Sequence, residues 1–290
     1  MPIRNEALRL PDFLRHYREI GIDRFVMIDN GSDDGTLELL EAEPDVDLYS
    51  TDLPYPAMRF GATIITFMAH RYGTGRWIIY ADADEHLVYD GVEDHGLREL
   101  TAQLERQGRH SLPAMMLDMY GGGAIADSIL EKGEPLVSAA PYFDSTGYVA
   151  QEPDPAQWAR ARHISYEGGP RSRLFKKGDR QFQSELAKTP LVKWTPRTVQ
   201  YFSHSVFPMD RNFGRPTGCL LHFKYLSDFR LRTEEAISLG TFYNGSAEAK
   251  SYRAGLQEAP DLSFHYAGSR RYDSSKTLVD LGLMTPINWD

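Results

Sequence analysis

The chain has 290 residues, of which 41% are hydrophobic and 25% charged, and its formal net charge is −9. That length can bury a full core as one large domain, or as one domain with an elaborated second half. The acidic balance argues against broad binding to nucleic acid or anionic membrane, which needs a basic surface.

A single cysteine, Cys219, excludes an intramolecular disulfide and fits a reducing cytoplasm. No signal peptide and no bilayer-spanning apolar run is expected, and no Cys/His spacing suggests zinc. The chain opens abruptly. Met1-Pro2-Ile3-Arg4-Asn5-Glu6 reads as the exit of a first strand. Leu10, Phe13, Leu14, Tyr17 and Ile20 recur at helical spacing, with Pro11 suited to the first turn and Gly21 to the end. Phe25 to Ile28 is a short apolar run of the buried parallel type, ending in the polar loop Asp29-Asn30-Gly31-Ser32-Asp33-Asp34-Gly35-Thr36. A second helix begins at Thr36, and Val46 to Thr51 reads as a strand.

Phe60, Ile64, Phe67 and Met68 mark another helix, leading to a strand that ends at Ala81. Leu97, Leu100 and Leu104 give a further helix, and Ala114 to Met119 a further strand. This alternation predicts an α/β fold with a doubly wound, mostly parallel sheet. Residues 1–123 would form its first half. After Gly121-Gly122-Gly123 the pattern loosens into an irregular second half, 124–240. Arg173-Leu174-Phe175 and Cys219 to Lys224 read as strands there, and Phe229 to Leu239 as a helix. Residues 241–290 read as a C-terminal extension of helix and loop.

Four constellations carry chemistry. Asp82-Ala83-Asp84-Glu85 follows the apolar run Trp77 to Ala81, so a buried strand delivers Asp82 and Asp84 to the carboxyl edge of a sheet, where open α/β sheets bind ligands. Two carboxylates there suit a hard divalent cation and, through it, a diphosphate; the alternative is a solvated strand end. Asp45-Val46-Asp47 has the same spacing but leads into an apolar stretch, and reads as a solvated strand start. The loops Asn5-Glu6 and Asp29-Asn30 would lie side by side at that edge, to contact a base or simply to make turns and cap helices.

His222, within Leu220 to Lys224, is a candidate nitrogen ligand for Mn²⁺ or a hydrogen-bonded core residue, with His204 the competing histidine. Lys224 offers a point charge for phosphate. In Glu167-Gly168-Gly169-Pro170-Arg171-Ser172-Arg173, Arg171 or Arg173 could clamp phosphate from an extended segment, the alternative being a surface turn. Lys188 to Lys193 is a weaker case of the same kind.

Taken in order, Arg4-Asn5-Glu6, Ile28 to Thr36, Asp82 to Glu85, Gly168 to Arg171 and His222-Phe223-Lys224 resemble a bacterial glycosyltransferase of the GT-A fold, in the family-2-like group related to glycosyltransferase family 92. The likeness spans residue 1 to about 240. It implies a Rossmann-like GT-A domain and a nucleoside-diphosphate sugar donor bound with Mn²⁺ or Mg²⁺. The acceptor would be a glycan or lipid-linked glycan, in surface polysaccharide synthesis in the cytoplasm or at the inner face of the membrane.

By position, Asp29 and Asn30, with Arg4 and Glu6, would meet the nucleotide, and Asp82 the ribose or metal. Asp84 and His222 would bind metal, and Lys224 or Arg171 the diphosphate. An inverting transfer needs a general base, for which Asp118 and then Glu167 are the candidates. The chain carries little of the family's first strand, which suggests a start set downstream or trimmed. The competing readings are a nucleotidyltransferase that makes nucleotide sugars, and a non-catalytic nucleotide-sugar-binding protein.

Overall fold

A computed structural model describes residues 1–175, 185–240 and 243–289. In chain order its elements are β1 (Pro2–Ile3), α1 (Leu10–Glu19), β2 (Phe25–Asp29), α2 (Thr36–Glu41), β3 (Val46–Ser50), α3 (Ala62–Gly73), β4 (Trp77–Ile79), β5 (Glu85–Val88), α4 (Leu97–Arg106), β6 (Ser111–Tyr120), α5 (Leu136–Ala139), β7 (Tyr142–Asp144), β8 (Val149–Gln151), β9 (Ser165–Glu167), α6 (Gly169–Phe175), β10 (Ala187–Lys193), β11 (Val199–Phe202), β12 (Ser205–Phe207), β13 (Gly218–Tyr225), α7 (Phe229–Leu239), α8 (Tyr243–Glu258), β14 (Ser269–Arg271) and α9 (Ser275–Asp280).

The first three strands form a parallel sheet in the order β1-β2-β3, joined by helices as the alternation requires. β1 is short. Its pairing continues through Met1, whose carbonyl accepts from Ile28 N at 2.8 Å. Asp45 and Asp47 flank the start of β3 and pair with Arg18 and Arg24, so they stay at the surface of this sheet.

The larger sheet corrects the expectation of mostly parallel pairing. β10 lies between β4 and β6 and runs antiparallel to both. β13 is parallel to β6 but antiparallel to β5, and β7 and β14 extend the other side antiparallel. The fold is therefore mixed α/β with a largely antiparallel second sheet. The physical reason lies in the loose region after Gly123, where the chain returns through hairpins and irregular links and not through helical crossovers, which parallel neighbours require. A second correction concerns Arg173-Leu174-Phe175, which ends helix α6 and is not a strand.

All ten residues of β6 are buried, which makes it the spine of the core. Residues from both ends of the chain reach the same core, from Ile3 and Leu10 to Leu278 and Ile287. A separate aromatic cluster of Tyr120, Phe175, Tyr225, Phe229, Tyr252 and Phe264 seats α7 and α8 against β13. Among the described residues no helix is long and apolar enough to cross a membrane.

Gly218 lies where the start of β13 meets the end of β5. A Cβ there would stand 2.7 Å from the Val88 carbonyl oxygen, and backbone cannot move aside as a side-chain tip can. Gly218→Ala is expected to cost about 1–3 kcal/mol through overpacking, seen as a lower urea midpoint with an unchanged slope.

Candidate active site

The acidic turn between β4 and β5 is assembled on a lysine. Lys188, from the middle of β10, is wholly buried and donates to Asp82 Oδ2 at 2.9 Å and Glu85 Oε2 at 2.6 Å. Its ammonium also lies 4.4 Å from the centre of the Tyr80 ring, and Tyr80 OH donates to Asp82 Oδ1 at 3.0 Å. Glu85 closes the turn by accepting from Asp82 N at 2.9 Å. Burial opposes charge on every member of this group, and the two carboxylates keep Lys188 protonated against it. The sequence offered Lys188 as a weak phosphate clamp or a solvated surface charge, and it is neither: it is buried in an ion pair.

Asp84 faces the other way, toward β13. Its Oδ2 is 3.5 Å from His222 Nε2, and its backbone carbonyl accepts from Phe223 N at 2.7 Å. Burial would raise its pKa, but the His222 imidazole beside it prevails, aided by Arg9 and Arg232, and holds the carboxyl well below the usual carboxylate range. Burial would likewise lower the pKa of His222, yet Asp84 and Asp118 push it up to about 9.

Asp118 and Arg171 have tasks other than the expected ones. Arg171 donates from Nε and Nη2 to the two Asp118 oxygens at 2.7 and 2.6 Å, and both side chains are buried. His222 Nδ1 lies 2.7 Å from Asp118 Oδ1 and 2.9 Å from Arg171 Nη2. The carboxylate is the acceptor for both donors, which turns His222 Nε2 toward Asp84. Asp118 is thus a positioning residue. Its lone pairs are committed, burial is outweighed by Arg171, and its pKa is strongly depressed, none of which suits a general base. Arg171 is committed in the same way, with Nη1 a further 3.6 Å from Glu248, so it does not suit a phosphate clamp.

The loops at the edge of the first sheet are zipped together. Asp34 accepts from Ala7 N at 3.0 Å and from Thr36 N at 3.0 Å, Thr36 Oγ1 accepts from Glu6 N at 2.8 Å, and Asn5 Oδ1 accepts from Asp33 N at 3.0 Å. Asp29 accepts from Gly31 N and Ser32 N, and Asn30 donates to the Thr51 and Leu53 carbonyls. The turn-making alternative therefore describes what Asp29 and Asn30 do within the chain. Glu6 is bound by both guanidinium nitrogens of Arg232, and Arg4 lies 3.7 Å from Glu235. Arg232 on α7 and Glu248 on α8 had no distinguishing sequence signal.

These pieces meet in one cavity of about 1960 Å³. Asp82, Asp84 and His222 line it, together with Asp29, Asn30, Tyr55 and Phe60. Arg4, Glu6, Lys224 and Arg232 also line it, as do Glu167, Arg171 and His204. Asp118 does not line it. A pocket for one drug-sized ligand is roughly 300–1,000 Å³, and this space is larger than that.

Among the described residues no group of three or more His, Cys, Asp or Glu side chains is placed to hold a metal ion. Asp82 is engaged by Lys188 and Tyr80, which leaves Asp84 and His222 as the available donor pair. Such a pair could supply at most one carboxylate and one imidazole to a divalent cation, the rest of its shell having to come from a bound molecule or water.

No family model matches this chain. No curated protein matches it either.

Proposed function

We propose that the protein is a glycosyltransferase of GT-A type that moves a sugar from a nucleoside diphosphate to a hydroxyl acceptor, a glycan or lipid-linked glycan. The observation that carries this reading is the placement of Asp84 and His222, 3.5 Å apart, in the lining of a cavity that also takes in Asp29 and Asn30. A base and ribose would lie by Asp29, Tyr55 and Phe60, with the exposed face of Asp82 turned to the ribose. The diphosphate then falls beside Asp84 and His222, where Arg4, Arg232 and Lys224 add positive charge.

A divalent cation held by Asp84 and His222 would neutralise the charge that builds on the departing diphosphate. The chain's own contribution is orientation. Asp118 and Arg171 fix the His222 ring, as an outer carboxylate does for many metal-binding histidines. Lys188 fixes the acidic turn, and the zipped loops fix the segment that carries Asp29 and Asn30. The GT-A assignment draws support from the parallel β1-β2-β3 unit and from the antiparallel β10 between β4 and β6.

A thermal-shift screen of nucleotide sugars, with and without Mn²⁺, tests the reading. A donor at about 100 times its Kd stabilises the native state by ~2.7 kcal/mol, so one or a few donors should raise Tm by several degrees only when Mn²⁺ is present. The reading fails if no nucleotide sugar shifts Tm in the presence of Mn²⁺.

A further inference from the structure

The cavity is also lined by a histidine, His204, that the proposed donor site does not use. His204 sits in the turn between β11 and β12, and that turn is fastened twice to β10. Thr189 N donates to the His204 carbonyl at 3.0 Å, and His204 Nδ1 lies 3.0 Å from the Ala187 carbonyl. A carbonyl oxygen only accepts, so the ring proton resides on Nδ1 and the lone pair on Nε2. No hydrogen bond to Nε2 is made among the described residues, and the half-buried ring lines the cavity.

Position strengthens the case. Ala187 and Thr189 flank Lys188, whose ammonium holds Asp82, so one short stretch of β10 sets both the acidic turn and this imidazole. The charged groups around the ring are Lys188 and Arg171 on one side of the balance, and Glu185 and Asp82 on the other. His163 and Arg162 pair with Glu185, which keeps that carboxylate beside the cavity. Burial first, and Lys188 second, push the His204 pKa down to about 4, so the ring is neutral and able to accept at neutral pH.

We propose that His204 is the general base that accepts the proton of the acceptor hydroxyl, an assignment that rests on the glycosyl-transfer reading. As the acceptor oxygen bonds to the anomeric carbon, the bond from that carbon to the diphosphate oxygen breaks, and its electron pair leaves with the diphosphate. The hydroxyl proton passes to Nε2, giving an imidazolium flanked by Asp82 and Glu185, and then to water. A weakly basic imidazole suffices because the hydroxyl becomes strongly acidic once its oxygen is bonding to carbon. Asp118 is locked in its ion pair, which removes one rival for this role.

The test uses the full chain with Mn²⁺ and UDP-glucose, UDP-galactose, UDP-N-acetylglucosamine or GDP-mannose, with water or methyl glycosides as acceptor, reading release of nucleoside diphosphate. In His204→Asn the side-chain amide can still donate to the Ala187 carbonyl, so the turn is kept while the base is lost. The expected result is a fall in kcat of about 10²–10⁴-fold, with the donor-induced Tm shift retained. His204→Ala should fall likewise and regain at least about tenfold when free imidazole is added, a response that a purely structural role would not give.

Wild-type kcat in the asparagine variant overturns the proposal, as does a loss confined to KM or to melting temperature. So does a wild-type chain that binds donor but releases no diphosphate. Failure of the underlying reading looks different, because then no nucleotide sugar stabilises even the unaltered chain.

Discussion

Asp84→Asn is expected to remove Mn²⁺-dependent turnover of a nucleotide sugar by about 10²–10⁴-fold, since charge stabilisation by a metal is worth several kcal/mol and each 1.36 kcal/mol is tenfold in rate. Asparagine matches the shape of aspartate and drops only the charge that a cation needs. The backbone carbonyl of residue 84 keeps its bond from Phe223 N, and His222 keeps Asp118, so the fold has its anchors without the carboxylate. Circular dichroism should be unchanged, while diphosphate release and the Mn²⁺-dependent Tm shift both vanish. An asparagine variant with full turnover would remove Asp84 from the site and with it the basis for the proposed chemistry.

Lys188→Met is expected to act on stability first. The substitution keeps the length of the side chain but leaves Asp82 and Glu85 facing each other without their shared cation. Removing one partner of a buried ion pair costs about 3–5 kcal/mol. At roughly 2–4 °C per kcal/mol for a chain of this class, Tm should fall by about 10 °C. The pairing predicts non-additivity as well. Lys188→Met combined with Glu85→Gln should be less destabilised than the sum of the two single changes, because the second substitution removes the stranded charge. Thermal melts of the four proteins read this directly. Additive losses would mean that Lys188 contributes packing alone, and that the acidic turn is held by Tyr80 and its own backbone.

The contrast between these two residues shows what can be read from sequence and what cannot. Asp84 was legible because an apolar run ending in Asp-Ala-Asp marks where a buried strand gives way to polar chain, a local rule. Its direction was not, since β4 ends at Ile79 and the turn before β5 sends Asp84 away from Asp82 and toward β13. The helices α1, α2, α4 and α7 and the strands β2, β3 and β13 were legible for the same reason, since each is set by spacing over a few residues. Lys188 was not, because its partners are 103 and 106 residues away in the chain and only the pairing of β10 with β4 brings them together.

Sequence alone determined that the chain combines helices and strands and that acidic groups follow an apolar strand, with His222 in a separate apolar run. Only the tertiary structure decided that β10 inserts antiparallel between β4 and β6, and that Asp118 and Arg171 neutralise each other behind His222. It also decided that His204 is tied through Nδ1 to the Ala187 carbonyl and lines the same cavity as Asp84 and His222. The reason is physical. Local periodicity fixes which way a side chain leaves its own backbone, but the charge state and the free valence of a group depend on which distant groups are folded against it.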